Sequence, residues 1–324
     1  MMESLSPSAV SSGASSWRHY VSIARPDHWF KNAFLLPGVA LALMLSGEPL
    51  RAALTLQVLA ALLATCLIAS ANYTINEWLD AEFDRFHPTK HARPAASTQM
   101  SASLVYTQWL GLACIGLIIG YLINMRVLQY EIALLVMGLV YNVRPLRTKE
   151  RPYLDVLSEA INNPIRLMIG WSVIVQIVAP PSSVLISYWM GGAYLMAVKR
   201  FSEYRFIGDP NRAGLYRRSF LFYNENSLLL SAFFYGMCSS TFLGIFLIKY
   251  RIEFILGLPL LVILFVWYLA IGMRHDSVAQ RTEKLYTEWK LMAFVAMLVA
   301  CFTALLFIDI PALDFLVSYH VLDK

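Results

Sequence analysis

Charge is scarce in this chain. Of its 324 residues, 15% are Asp, Glu, Lys or Arg and 58% are hydrophobic. Soluble domains carry about a quarter charged residues, so a soluble globule is excluded. Cysteine is equally sparse. Cys66, Cys114, Cys238 and Cys301 stand singly in separate apolar stretches, without metal-ligand spacing or the density of a disulfide framework. They read as small buried hydrophobes. Also missing are a Gly-x-x-x-x-Gly-Lys-Ser/Thr phosphate loop, a His-Glu-x-x-His pair and any Ser/His/Asp arrangement, which removes activated-serine and zinc-water chemistry. The first 16 residues are rich in Ser and Ala but lack the apolar core of a signal peptide. They are expected to form a disordered tail before a single transmembrane domain over 17–324.

Apolar runs and aromatics are plentiful, with 17 Tyr, 18 Phe and 8 Trp. About 17–25 mostly apolar residues cross a hydrocarbon core. Nine candidate spans occur: Phe30–Ser46, Leu54–Leu79, Ser103–Asn124, Ile132–Tyr141, Leu154–Val178, Val184–Val198, Ser227–Lys249, Phe254–Met273 and Leu291–Ile308. The fourth is short, and Gly191-Gly192 interrupts the sixth. The expected fold is all-α, a polytopic membrane protein with nine transmembrane helices around a central cavity open to the cytoplasmic side. Alternating from a cytoplasmic N-terminus puts 20 of the 26 Lys and Arg residues inside, as the positive-inside rule requires. Outside fall Arg51, Arg126, Lys249, Arg251 and Lys324, and Arg166 lies within the fifth span. The C-terminus is then outside. The net charge of +5 is mostly a topological signal, and no soluble domain exists to bind nucleic acid.

The densest polar run is Asn72 to Pro94. On a helix, Asn72, Asn76, Asp80 and Asp84 follow at four-residue intervals and line one face. Stacked carboxylates and amide oxygens suit a hard divalent cation, and Arg85, Lys90 and Arg93 beyond them suit the phosphates such a cation bridges. A polar face of this kind is costly at a membrane helix end, so function is its default reading. A second cluster runs from Tyr141 through Arg147 and Lys149 into a helix bearing Asp155, Glu159, Asn162, Asn163 and Arg166. These offsets again trace one face. Arg166 is expected either to brace Glu159 or Asn162 or to face a water-filled cavity holding an anion, and Pro164 to bend the helix. Lys199, Arg200 and Glu203 form a third cluster, and Arg25, Lys31 and Asn32 a fourth. Either could be no more than snorkelling bases or an interfacial anchor.

Asn76-Glu-x-x-Asp80-x-x-x-Asp84 resembles the first Asp-rich motif of the UbiA-type intramembrane prenyltransferases, a nine-helix fold, with Glu77 where Asp is usual. Within that group three features look more like the decaprenyl-phosphate phosphoribosyltransferase branch: Arg25-Pro-x-x-Trp29-x-Lys31-Asn32, His87-Pro-Thr-Lys90-x-x-Arg93-Pro94 and Lys199-Arg200-Phe-Ser-Glu203. Prenyltransferases usually carry a second Asp-x-x-x-Asp cluster at the last position. Only Asp209 intervenes before Glu225 here. The segment Asp155 to Arg166 departs from that branch.

The resemblance implies a Mg²⁺-dependent transferase of a bacterial cytoplasmic membrane, with Asn76, Asp80 and Asp84 on the metal. Its donor would be 5-phosphoribosyl 1-diphosphate and its acceptor a polyprenyl phosphate. Lys90, Arg93, Arg147, Lys149, Arg166, Lys199 and Arg200 are candidates for the donor's phosphates, and Arg25 and Lys31 for the acceptor's. Asn32, Asn72, Tyr141, Asn163 and Glu203 complete the candidate binding set. The rival is prenyl transfer from a polyprenyl diphosphate to an aromatic acceptor, with Asp155 and Glu159 as the second acidic cluster. A transporter would show inverted repeats and midplane polar groups; no internal repeat is visible, and the polar residues gather at cytoplasmic helix ends.

Overall fold

The computed structural model describes residues 16–49, 51–86, 89–275, 277–280, 282–305 and 307–316. The disordered tail expected for residues 1–16 therefore lies outside the described residues except at Ser16. The helices are α1 (Trp17–Ile23), α2 (Leu36–Ser46), α3 (Ala52–Asp84), α4 (Pro94–Ser97), α5 (Ala102–Ile123), α6 (Met125–Asn142), α7 (Leu154–Ala160), α8 (Asn162–Ile174), α9 (Ser182–Ile207), α10 (Pro210–Tyr216), α11 (Glu225–Tyr250), α12 (Leu258–Gly272) and α13 (Trp289–Leu305). No β-strand occurs among the described residues. Among the described residues, five helical stretches are long and apolar enough to cross a membrane: Trp17–Ser46, Ala52–Asp84, Ala102–Ile123, Glu225–Tyr250 and Ile252–Gly272. Leu122, Phe233 and Val266 are among the large apolar side chains turned outward on such helices, as lipid contact demands.

Two compact units divide the chain. The first holds the residues up to Pro180 together with Ile207–Asn224; the second holds Pro181–Phe206 and the chain from Glu225 onward. In the first unit, Leu35, Val39, Val58, Ile68, Val127, Leu134, Ile165 and Ile169 form a core shared by the Pro26–Leu35 turn, α2, α3, α6 and α8. Lipid tails are as apolar as these side chains, so close packing and interhelical polar bonds must supply the cohesion. Glycine permits the approach. A Cβ at Gly38 would strike the Leu167 carbonyl, and one at Gly170 the Leu35 carbonyl, which brings α2 and the turn before it against α8.

Three segments differ from their sequence reading. The fourth span begins at Met125, because Asn124 caps the helix by accepting from the Val127 amide at 2.8 Å. Its polar Glu131 is accommodated by Thr65, whose hydroxyl donates to it at 2.6 Å. The fifth breaks at Ile161, and Asn162-Asn163-Pro164 form the first turn of α8, where proline's missing N–H costs nothing. The sixth runs unbroken through Gly191-Gly192 for 26 residues. Within the second unit, Ser187 and Ser239 exchange hydroxyl-to-carbonyl bonds at 2.9 and 3.0 Å, pairing α9 with α11.

Candidate active site

Helix α3 has 33 residues, about 50 Å of rise, against a hydrocarbon core of about 30 Å. The excess length lets its final stretch of about two and a half turns, Asn76 to Asp84, extend to the edge of the apolar layer, where a carboxylate is tolerable. Asp80 is met there by two bases from the loop after α6. Lys149 Nζ lies 2.5 Å from Asp80 Oδ1 and Arg147 Nη2 lies 3.0 Å from the same oxygen. Lys149 also donates to Asn142 Oδ1 at 2.8 Å. Arg147 bonds Glu150 at 2.5 Å and lies over the Phe83 ring. One turn on, Arg93 holds Asp84 at 2.7 Å.

Burial pushes the Lys149 ammonium down to about 8; Asp80 pulls it back up, while Arg147 adds to the depression. Burial acts most strongly to lower the Arg93 guanidinium, but Asp84, Tyr216 and Glu77 together outweigh it and hold Arg93 above its ordinary value. Arg147 sits at φ 31°, left-handed backbone that a bulky residue rarely uses. Its bonds to Asp80, Glu150 and the Asn142 carbonyl hold it there.

A small open pocket lies at this point. Asp80, Phe83 and Asp84 form one wall, Arg147, Lys149 and Glu150 a second, and Tyr216, Arg217 and Arg218 a third. Sequence reasoning did not single out that third wall. Its signal was the pair Arg217-Arg218 in a basic loop, which topology alone seemed to explain. Asp155 is the anchor of this segment. It is fully buried, accepting from Tyr223 at 2.8 Å and Ser219 at 3.1 Å, with Arg217 4.0 Å away. Arg217 also donates to Tyr141, which donates in turn to Glu159 at 2.9 Å. Lys90 bonds the Tyr216 hydroxyl and lies over its ring.

The other expected residues lie as follows. Asn76 donates to Asp80 and to Asn142; Asn142, unremarked in the sequence reading, was adjacent to Tyr141. Asn72 donates to the Leu134 carbonyl at 2.9 Å, its own oxygen buried without a partner, in space that Gly138 leaves for it. Arg25, itself left-handed at φ 49°, pairs with buried Glu77 at 2.7 Å, and Lys31 bonds His28. Arg166 meets Asn32 and Asn163 rather than Glu159 or Asn162, the braces that the sequence reading set beside a water-filled cavity holding an anion. Lys199, Arg200 and Glu203 belong to the second unit, where Arg200 pairs with Glu203 at 3.1 Å, both buried. Asp209 caps α10 by accepting from the Asn211 amide. His87 and Pro88 lie outside the described residues.

A divalent cation fits this donor set by chemistry. Asp80 and Asp84 offer carboxylate oxygens to one pocket, and the Lys149 ammonium already sits between oxygens of Asp80 and Asn142. The Asn76 amide would have to turn over to offer its oxygen, since its nitrogen faces Asp80. Among the described residues, no three His, Cys, Asp or Glu side chains converge as a metal cluster. Each of the two carboxylates is instead joined to a base.

The sequence model of the UbiA prenyltransferase family matches residues 34–298. Nodulation protein NoeC of Azorhizobium caulinodans is 26% identical over 227 residues, 70% of this chain and 71% of that protein. Decaprenyl-phosphate phosphoribosyltransferase of Mycolicibacterium smegmatis is 27% identical over 189 residues, 56% of each chain. Among solved structures, a UbiA homolog from Archaeoglobus fulgidus bound to GPP and Mg²⁺ superposes with a TM-score of 0.65 at 19% identity, covering 90% of this chain and all of that one. The same homolog bound to DMAPP and Mg²⁺ gives 0.67.

Proposed function

We infer the activity from one premise: this chain belongs to the UbiA prenyltransferase family of membrane transferases. On that premise the reaction we propose is transfer of a 5-phosphoribosyl group from phosphoribosyl diphosphate to a polyprenyl phosphate, releasing pyrophosphate. One observation carries the choice of donor. Bases from three parts of the first unit surround two α3 carboxylates and Glu150, while Asp155 and Glu159, the candidates for a second acidic cluster, accept from Ser219 and Tyr223 and from Tyr141. The relationship to decaprenyl-phosphate phosphoribosyltransferase supports the same choice.

In this reading Arg147, Lys149, Arg93 and Arg217 bind the diphosphate, with the arginines suited to bidentate contact. Their charges are fixed in place before the donor arrives, so they favour the departing pyrophosphate without reorganisation. Mg²⁺, held by Asp80 and Asp84 with Asn76, would neutralise further charge on the leaving group. The bond from ribose C1 to the diphosphate oxygen breaks, its electron pair leaving with pyrophosphate. C1 passes through an oxocarbenium-like state, and an oxygen of the lipid phosphate forms the new bond. An acceptor entering as a dianion needs no general base. Nine spans around a cavity open to the cytoplasm, in a bacterial cytoplasmic membrane with the C-terminus outside, complete the proposal. A C-terminal reporter that works only inside the cell would contradict that orientation.

Purified protein with Mg²⁺, labelled phosphoribosyl diphosphate and a polyprenyl phosphate is expected to yield a phosphoribosylated lipid. Coupling of a polyprenyl diphosphate to an aromatic acid, without reaction of the ribosyl donor, would establish the rival instead. The UbiA homolog solved with GPP and DMAPP favours that second reading.

A further inference from the structure

Arg166 lies in α8 and is nine-tenths buried, with 9% of its surface exposed. Its Nε donates to Asn32 Oδ1 at 2.9 Å and its Nη1 reaches Asn163 Oδ1 at 3.4 Å. Both partners are neutral amides. Among the described residues, no carboxylate lies within ion-pair distance of it, whereas Arg25, Arg93, Arg147 and Arg200 each have one. A guanidinium withdrawn from water into a membrane domain is costly unless a counter-charge joins it. Two amide oxygens orient the fork, and the buried Glu131, which feels the guanidinium's charge through space, makes no contact ion pair with it.

The surroundings are built to hold that orientation. Asn32 is 1% exposed, and its nitrogen donates to Cys66 Sγ at 3.2 Å, which turns its oxygen toward Arg166. Trp29, on the same turn, donates to Ser70 at 2.8 Å and fixes the turn on α3. The glycine contacts between α2 and α8 set the distance across which Asn32 reaches. Arg166 is also absent from the walls of the Asp80–Asp84 pocket.

We propose that Arg166, with Asn32 and Asn163, is a second anion subsite that takes a phosphate monoester. Resting on the phosphoribosyl reading, the monoester is either the donor's 5-phosphate or the head group of the polyprenyl phosphate. The two share one chemistry, a phosphate dianion matched to a planar fork of N–H donors. The proposal assigns the diphosphate to the α3 pocket and one of the reaction's two remaining phosphates to this site.

The test uses the full-length protein and two variants, Arg166→Gln and Asn163→Asp. Asn163→Asp supplies an internal counter-charge beside the guanidinium, so a site that serves only to brace helices would gain from it. Thermal protection by ribose 5-phosphate and by a polyprenyl phosphate in detergent is measured on each form, with inorganic pyrophosphate as the probe of the α3 pocket. The expected result is that one monoester protects the native protein, and that its affinity falls about ten- to hundredfold in both variants while pyrophosphate protection persists. Loss confined to ribose 5-phosphate identifies the donor's phosphate; loss confined to the lipid identifies the acceptor. Should Arg166→Gln fail to fold, Asn163→Asp decides alone. Unchanged monoester affinity in Asn163→Asp would overturn the proposal, as would a native protein that neither monoester protects. Because these readouts are binding, absence of phosphoribosyl turnover would sink the proposed reaction without deciding the subsite.

Discussion

Asp80 binds two cations at once, and neither comes from its own helix. The Arg147 and Lys149 side chains are 7% and 6% exposed, so removing the carboxylate strands the Lys149 charge, while Arg147 keeps Glu150. Breaking a buried ion pair from one side costs about 3–5 kcal/mol. Asp80→Asn is expected to lower stability toward that range and to cut turnover by at least about a hundredfold, the scale seen when a fixed electrostatic group is lost. Denaturation of the purified variant and a turnover assay measure the two effects. Lys149 makes a separate prediction. Its folded value of about 8 lies below the ordinary 10.5, so the unfolded chain holds more protons between these values. Stability from this group is then complete above 10.5 and is lost as pH falls through 8. In metal-free buffer, the stability of the native protein relative to Lys149→Met should rise from pH 7 to pH 10. A flat difference would contradict the burial of a charged lysine.

At the level of elements, the segment Ile207–Asn224 completes a pocket begun by α3 and the loop after α6. Asp155 ties it down through Ser219 and Tyr223. In Asp155→Asn the tie weakens, and Arg212, Arg217 and Arg218 should become cleaved faster by trypsin. The donor's KM should rise about tenfold, a change of about 1.4 kcal/mol, with kcat reduced less. Loss of turnover as complete as in Asp80→Asn would favour a metal role for Asp155 and with it the prenyl-transfer reading. The acidic face of α3 was legible because its period is local: four residues separate each member from the next, and a helix stacks them. The Tyr223–Asp155 bond spans 68 residues, and no local pattern announces such a contact. The break at Ile161 lies between. Pro164 marked a disturbance in the helix, while its form depended on packing against α2.

For the whole molecule, composition alone excluded a soluble fold, and the order of polar clusters pointed to the family that the sequence model then matched over residues 34–298. Basic residues were harder to assign, because the rule that retains them on one side of a membrane also retains those that bind phosphate. On the proposed reading the contacts distinguish the two roles: Arg147 and Lys149 face Asp80, whereas Arg205 donates to the Met273 carbonyl within the second unit. The central claim is that the α3 pocket is built for a base-clamped sugar diphosphate. Its most direct test is ligand-dependent thermal stability with Mg²⁺ present, comparing phosphoribosyl diphosphate with geranyl diphosphate at equal concentrations. At a hundred times its dissociation constant, a ligand stabilises the folded state by about 2.7 kcal/mol. The account predicts a rise in Tm with phosphoribosyl diphosphate that Asp84→Asn removes. A rise with geranyl diphosphate and none with the ribosyl donor would contradict it.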